Sequence, residues 1–111
     1  DNHLKLAGGI GPAVARLRAQ APGLRIEVET ASLDQVREAL AAGADIIMLD
    51  NMDLATMRAA VHLVAGRAQV EASGSIALDQ VRAVAETGVN VISIGRLTHS
   101  APALDISMKV V

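Results

Sequence analysis

The stretch that decides the fold is DIIMLDNM at residues 45–52, where four apolar side chains at 46–49 run directly into Asp50 and Asn51. An apolar run without alternation is typical of a strand that is buried on both faces, as in a parallel sheet. A carboxylate is costly inside such a layer, because a buried charge needs a partner. The strand is therefore expected to end where Asp50 meets a ligand instead of the core.

Predicted helices and strands alternate along the rest of the chain. Pro12 suits the first helical position of one helix, and Ser32 and Gln35 have the spacing of a capping box at the start of the next. Strands separated by helices predict a parallel sheet with right-handed crossovers. The fold class is thus α/β, as a (βα) barrel or an open parallel sheet. The predicted helices are 12–20, 32–40, one starting at Asp53, and 77–87; the predicted strands are 24–29, 45–49, 69–72 and 89–94, with 104–111 as a further candidate.

The chain contains an internal repeat. LDQVR occurs at 33–37 and again at 78–82, and the same offset lays AGADIIMLDN at 42–51 over TGVNVISIGR at 87–96. Duplication of a unit of two βα modules explains the match. The shared packing needs of amphipathic helices that stop at a glycine explain the helix part equally well, so both explanations stay open.

Composition excludes several classes of function. The 111 residues carry a formal net charge of -2 and no Phe, Tyr or Trp, so the chain has neither a basic surface nor stacking platforms for nucleic acid. The absence of cysteine excludes disulfides and thiolate chemistry. No apolar stretch reaches the roughly 18 residues of a membrane span. One soluble, cytoplasmic domain is expected, with no nucleic-acid or membrane partner.

Small or polar residues stand at the ends of four predicted strands. Glu29 and Asp50 end two of them, Ser73 and Gly74 end the third, and Gly95 ends the fourth. Parallel strands point the same way, so these ends line one rim of the sheet, where α/β folds bind their ligands. Two neighbouring carboxylates repel unless a cation or a hydroxyl-rich ligand lies between them. The pattern therefore predicts a ligand site at this rim.

Simpler explanations for these acids stay open. Asp50 and Asn51 suit a turn and a helix start, because such side chains bond the nearby backbone. Glu27 and Glu29 share a face by period two and suit a half-exposed strand. His62 is expected on the solvent side of its helix. The three histidines are dispersed along the sequence, so a dedicated transition-metal site is not expected.

Two loops that follow predicted strands have the composition of phosphate sites. EASGSI at 71–76 puts Ser73, Gly74 and Ser75 between a strand and a helix, where backbone N–H groups and hydroxyls suit an anion. A plain flexible turn is the alternative for this loop.

The following strand end adds positive charge to the predicted site. Gly95 permits close backbone approach, and Arg96 and His99 offer hydrogen-bond donors to phosphate oxygens. Surface charge at Arg96 and a structural hydrogen bond at His99 are the alternatives. Consecutive strands that end in SGS and in Gly are similar to the phosphate grip made by the last two βα loops of barrels.

Five motifs follow one another with consistent spacing: DNH at 1–3, IEVET at 26–30, ADIIMLDNM at 44–52, EASGSI at 71–76 and ETGVNVISIGRLTHSAPALDIS at 86–107. Together they resemble the carboxyl-terminal part of quinolinate phosphoribosyltransferases, over nearly the whole chain. The resemblance implies a partial (βα) barrel with parallel strands, about half of an open α/β barrel. It also implies a reaction of NAD synthesis, in which quinolinate and phosphoribosyl pyrophosphate give nicotinate mononucleotide, pyrophosphate and carbon dioxide with Mg²⁺.

The resemblance implies roles for single residues as well. The Glu of the EVE strand and the Asp of LDN bind the ribose hydroxyls and the metal-bound sugar region in that family. This assigns catalysis, ribose binding and Mg²⁺ binding, directly or through water or substrate, to Glu29 and Asp50 of this chain. The residues that it assigns to phosphate, or near it, are Ser73, Gly74, Ser75, Gly95, Arg96 and His99. Ser75 and Arg96 depart from the family, which usually has a glycine and a small residue there.

Residues 1–111 are expected to be only the carboxyl-terminal part of a barrel. The resemblance implies that an amino-terminal domain and early barrel strands, absent here, hold quinolinate, so the chain alone is expected to be inactive. The remainder of the barrel and a second subunit, in a homodimer or higher oligomer, are the implied partners. A non-catalytic, autonomous βα folding fragment and a paralogous barrel phosphoribosyltransferase with another substrate are the alternatives.

Overall fold

A single parallel sheet organises the chain. The computed structural model describes residues 9–94, in which four parallel strands pair in the order in which they occur along the chain. The predicted α/β class and parallel sheet are confirmed. The elements are α1 Ile10–Gln20, β1 Glu27–Thr30, α2 Leu33–Ala41, β2 Ile46–Asp50, α3 Leu54–Val64, β3 Gln69–Ser73, a 3-10 helix Leu78–Gln80, α4 Val81–Ala85 and β4 Val91–Ile92.

The two faces of the sheet differ in chemistry. Helices pack on one face, because right-handed crossovers place the helices between neighbouring strands on the same side. α1, which precedes β1, packs against α2 and joins the same core. The strand residues buried under the helices are Val28, Thr30, Ile47, Leu49, Val70 and Ala72. The opposite face is largely polar and half-buried, with Glu27, Glu29, Met48, Asp50, Gln69, Glu71 and Ser73. In a closed barrel this second face points inward.

Several element boundaries differ from the predicted ones. α1 begins at Ile10, so Pro12 is its third residue and not its first. β1 begins three residues later than expected, because Leu24 N–H donates to Ala21 O (3.2 Å) in a turn. The predicted helix at 77–87 is a 3-10 helix followed by the short α4. β4 begins two residues later than predicted, because Asn90 Oδ1 accepts from Val70 N–H (2.8 Å) where a strand carbonyl would otherwise do so, and it ends at Ile92. The candidate strand at 104–111 lies outside the described residues.

A charged network closes the amino end of the sheet. Asp45 Oδ2 accepts hydrogen bonds from the backbone N–H of Ile26 (2.7 Å) and from Arg18 Nη2 (2.8 Å). Arg18 also donates to Gly43 O (2.8 Å) and Leu24 O (3.2 Å). The Ile26 N–H, and then the Arg18 guanidinium, lower the pKa of Asp45 against the opposing effect of burial. These contacts tie α1 to the starts of β1 and β2.

Side-chain caps start the two central helices. Ser32 Oγ accepts from Gln35 N–H (3.2 Å), as predicted, but Gln35 Oε1 accepts from Ala31 N–H (2.6 Å) instead of completing the box at Ser32. Asp53 Oδ1 accepts from Thr56 N–H (2.7 Å) at the start of α3. The predicted apolar face of α3 is confirmed, with Met57 and Val64 buried and Leu54 and Val61 half-buried. Within residues 9–94, no helix has the length and apolar character needed to cross a membrane.

Candidate functional site

The carboxyl ends of β2 and β3 form the centre of the candidate site. Asp50 is the last residue of β2 and stands beside Ser73, the last residue of β3. Both side chains are half-buried on the polar face of the sheet. The sequence therefore predicted correctly that the strand carrying the apolar run ends at a carboxylate on the rim.

Glu29 lies on the same face of the sheet as Asp50, but further from the carboxyl end. It pairs with Met48 of β2, which precedes Asp50 by two residues. With strands about 4.8 Å apart and a rise of about 3.3 Å per residue, the Cα atoms of Glu29 and Asp50 are roughly 8 Å apart. Long carboxylate side chains at that separation can contact neighbouring hydroxyls of one sugar-sized ligand.

Glu71 is a fourth carboxylate on this face, beside Glu27, Glu29 and Asp50, and it was not predicted as a site residue. Glu71 pairs with Met48 from the β3 side, so Glu29 and Glu71 flank Met48 at one level of the sheet. Ser93 Oγ donates to Glu71 Oε1. The signal was present in the sequence, because Glu71 precedes Ser73 by two residues and must share its face.

The loop after β3 folds back onto the end of β2. Asn51 N–H donates to Ser73 O (3.0 Å), and Asn51 Oδ1 accepts from Ser75 N–H (3.0 Å). Gly74 has φ +118 and its carbonyl accepts from Ile76 N–H (2.9 Å). Asn51 itself was not predicted as a site residue; it is exposed and has φ +52. The loop is thus an ordered turn that is bonded to the neighbouring strand end.

A cavity of about 410 Å³ lies on the helix side of this loop, between the start of α3 and α4. Asn51, Asp53, Ser73, Ser75 and Gln80 supply its polar lining. The hydroxyl and the backbone N–H of Thr56 lower the pKa of Asp53, so its carboxylate is charged at neutral pH. Asp53 therefore brings a negative charge to the lining of this cavity.

Three of the predicted site residues are not among those that the structure describes. Gly95, Arg96 and His99 lie outside the described residues. His62 is exposed on α3, as predicted. Across residues 9–94, no three His, Cys, Asp or Glu side chains form a group that could hold a metal ion. Glu29 and Asp50 could hold a cation only as a pair of carboxylates, with the other ligands supplied by a substrate or by water.

The chain is similar to known proteins over nearly its whole length. The family model for the carboxyl-terminal domain of quinolinate phosphoribosyl transferase matches residues 1–109. A probable nicotinate-nucleotide pyrophosphorylase (carboxylating) of Bacillus subtilis is 48% identical over 112 residues, covering 99% of this chain and 38% of the relative. The chloroplastic nicotinate-nucleotide pyrophosphorylase (carboxylating) of rice, Oryza sativa, is 43% identical over 129 residues, covering 99% and 35%.

A solved structure gives the same result for the fold. The nicotinate-nucleotide pyrophosphorylase of Francisella tularensis superposes with a TM-score of 0.87 at 39% identity, over 100% of this chain and 40% of that chain. The present chain spans well under half the length of the relatives that it matches. The motif order, the parallel sheet and the family match agree with one another. The chain belongs to the quinolinate phosphoribosyltransferase family, whose carboxyl-terminal domain it matches.

Proposed function

We propose that this chain forms the ribose- and phosphate-binding part of an enzyme that converts quinolinate and phosphoribosyl pyrophosphate to nicotinate mononucleotide, pyrophosphate and carbon dioxide. One observation carries the proposal: Asp50 and the loop at 73–75 stand side by side at the carboxyl ends of neighbouring parallel strands. A phosphorylated sugar presents hydroxyls and a phosphate at a similar spacing. This rim is where barrel enzymes perform their chemistry.

Glu29 and Asp50 are the proposed catalytic carboxylates. Their placement on one face supports a role in which they accept hydrogen bonds from the ribose hydroxyls. Loss of pyrophosphate leaves positive charge on the sugar ring, and fixed negative charge near the ring stabilises that state more than it stabilises the substrate. A charge that stabilises only the transition state raises turnover.

Phosphate binding is proposed for the loop at 73–75. The Ser73 and Ser75 hydroxyls and the Gly74 N–H are the donors that this proposal assigns to it. Ser75 N–H is assigned a different task, because it donates to Asn51 (3.0 Å). Gly95, Arg96 and His99 complete the phosphate site in this proposal, on the strength of the family motif alone.

Mg²⁺ is the proposed cofactor. Two carboxylates on one face fit an ion that keeps several waters and takes its remaining ligands from substrate phosphates. Glu29 and Asp50 would hold it, directly or through water. The bound ion would neutralise charge on the departing pyrophosphate.

The remaining catalytic parts are proposed to lie outside these 111 residues. The chain covers only 38% of the Bacillus relative, and the residues that hold quinolinate are assigned to the rest of the barrel. A second subunit is part of the same proposal. The cytoplasm is the proposed compartment for this chain, whereas the rice relative is chloroplastic.

The proposal is tested with a completed protein, in which residues 1–111 replace the matching part of the Bacillus subtilis relative. Quinolinate and phosphoribosyl pyrophosphate are added with Mg²⁺, and nicotinate mononucleotide is measured. We expect turnover by the completed protein and none by the 111-residue chain alone. A completed protein that is folded but inactive would support a non-catalytic folding module. Turnover only with a different aromatic acid would indicate a paralogous transferase.

A further inference from the structure

We propose that Asn51 is a positioning residue, which holds the loop at 73–75 in fixed register with the catalytic carboxylate of Asp50. The inference rests on the proposed function, because it assigns the loop to the phosphate of the substrate and Asp50 to its ribose. Asn51 itself contacts neither group of the substrate in this proposal. It acts through the backbone of the loop.

The backbone of Asn51 is the first part of the device. Its φ of +52 is in the left-handed region, which asparagine occupies more readily than most residues with a side chain. In this conformation its N–H still donates to Ser73 O (3.0 Å), which extends the β2–β3 pairing by one bond. The chain then turns towards the start of α3. The Asn51 side chain is directed towards β3, where its oxygen contacts the loop at 73–75.

The side chain of Asn51 is the second part. Its Oδ1 accepts from Ser75 N–H at 3.0 Å, across 24 residues of sequence. Together with the Ser73 contact, Asn51 therefore bonds the residue before Gly74 and the residue after it. Two bonds to residues that flank a glycine fix the position of the loop. With only one of these two bonds, the loop could rotate about that bond.

Gly74 is fitted to Asn51. A Cβ built on Gly74 would lie 2.4 Å from Asn51 Oδ1, 2.8 Å from its Cγ and 3.0 Å from its backbone N. Gly74 also has φ +118, which L residues rarely adopt. A side chain at 74 would therefore push the Asn51 amide off Ser75. The absence of a Cβ at 74 is what permits the bond.

This arrangement connects two parts of one substrate site. Asp50 precedes Asn51 in the chain and lies at the end of β2, while the loop belongs to β3. The ribose hydroxyls and the phosphate of a phosphoribosyl group are separated by a fixed number of bonds, so the groups that bind them need a fixed spacing. Misplacement by about 1 Å is enough to cost large factors in rate. Asn51 sets this spacing.

The experiment compares Asn51→Gly, Asn51→Asp and the control Asn90→Ala in the completed protein. Asn51→Gly keeps the left-handed backbone and removes the acceptor, whereas Asn51→Asp keeps an acceptor oxygen. Asn90 makes a matched bond at the other end of β3, where its Oδ1 accepts from Val70 N–H (2.8 Å). We expect Asn51→Gly to raise the KM for phosphoribosyl pyrophosphate at least about tenfold with little change in melting temperature. Asn90→Ala should lower the melting temperature and leave that KM unchanged.

Hydrogen exchange at the Ser75 amide separates this claim from the proposed function. It is measured by nitrogen-15 NMR on the 111-residue chain, without any substrate. Exchange should be at least about tenfold faster in Asn51→Gly than in the wild type, and close to the wild type in Asn51→Asp. Unchanged exchange in Asn51→Gly would overturn the positioning role even if the completed protein is active. An inactive completed protein with the expected exchange pattern would overturn the proposed function and leave the loop contact established.

An unchanged or lower KM in Asn51→Gly would also contradict the inference. A lower KM would mean that the freed Ser75 N–H binds the phosphate and that Asn51 competes with it. A double variant completes the test. Gly74→Ala should raise the KM for phosphoribosyl pyrophosphate by a smaller factor in the Asn51→Gly background than in the wild type, because the 2.4 Å contact with Asn51 Oδ1 is then absent. An equal rise in this KM in both backgrounds would show that Asn51 and Gly74 do not act together.

Discussion

The two ends of the sheet use polar side chains for different purposes. At the amino end, Asp45 accepts from Ile26 N–H and from Arg18 and so joins α1 to the strands. At the carboxyl end, Asn51 accepts from Ser75 N–H in a left-handed conformation, next to the acid that ends β2. The amino-end network connects elements of the core, and the carboxyl-end contact arranges an exposed loop. We infer that one end maintains the fold and the other performs the chemistry.

Backbone conformation sharpens this difference. Ala65 has φ +50 near the amino end, where it caps α3 with a bond from its N–H to Val61 O (3.0 Å). This is an ordinary helix stop that a glycine would make with less strain. Asn51 has a similar φ, but its side-chain oxygen accepts a hydrogen bond from Ser75 N–H, which a glycine at this position could not accept. The left-handed conformation is therefore strain without a further role at Ala65, whereas at Asn51 it positions a side chain that bonds the loop.

The largest expected effect on stability lies at the amino end. Asp45→Ala removes the acceptor for both Ile26 N–H and Arg18, and hydrogen bonds to charged groups contribute about 1.5–3 kcal/mol. Since the Asp45 side chain is one-third exposed (33%), we expect a loss of about 2 kcal/mol in the free energy of unfolding. Urea denaturation of the 111-residue chain measures it. The control Asp79→Ala, in the exposed 3-10 helix, should change stability by less than about 0.5 kcal/mol.

At the carboxyl end, Asp50→Asn should affect rate without affecting stability. The amide is nearly isosteric and, under the proposed function, would still bond a ribose hydroxyl, but it would carry no charge to balance a positive sugar or Mg²⁺. Turnover of the completed protein should fall at least about tenfold, or about 1.4 kcal/mol of transition-state stabilisation. The melting temperature should stay unchanged. An unchanged rate would mean that Asp50 is only a turn residue.

Ala65→Gly should increase stability and leave activity intact. A left-handed alanine is strained by roughly 1 kcal/mol relative to glycine, and the residue lies on the exposed stop of α3. We therefore expect a gain of at most about 0.5 kcal/mol in the free energy of unfolding, because glycine also loses about 0.5–1 kcal/mol more chain entropy on folding. Thermal denaturation measures the gain. A simultaneous rise in the KM for phosphoribosyl pyrophosphate would contradict the division between the two ends.

The smallest expected effect is a pH dependence at the amino end. The folded state lowers the pKa of Asp45, so the stability that its charge contributes is complete above the unfolded pKa of about 3.9. That contribution is lost as the pH falls through the lowered folded pKa. The free energies of unfolding of the wild type and Asp45→Asn should therefore differ at neutral pH and converge in acid. A constant difference across this range would show that the carboxylate charge contributes nothing.

Local patterns were enough to predict most of the fold. The apolar run at 46–49 predicted a buried strand, and the Ser32 cap predicted the start of α2, because each depends on residues close in sequence. The second copy of LDQVR, at 78–82, shows where such patterns fail. It follows Ala77, which offers no side-chain oxygen as a cap, and the predicted helix begins as a 3-10 turn and ends as the short α4.

Contacts between distant residues could not be predicted in the same way. The bond from Ser75 to Asn51 spans 24 residues and the pair Arg18–Asp45 spans 27. No local spacing encodes such pairs, because they arise only when β2 lies beside its neighbours. Glu71 differs, since the period of two along β3 already placed it on the face of Ser73. The carboxylate pair at Glu29 and Asp50 was predictable, whereas the order of the loop beside it required the structure.

Crystals of the completed protein soaked with phosphoribosyl pyrophosphate test the central claim most directly. We predict that the sugar lies on the polar face at the carboxyl end, with its hydroxyls at Glu29 and Asp50. Its 5-phosphate should contact the loop at 73–75, and Ser75 N–H should still donate to Asn51. A ligand bound instead at the amino end near Asp45, or in the cavity between α3 and α4 with the polar face empty, would contradict the account.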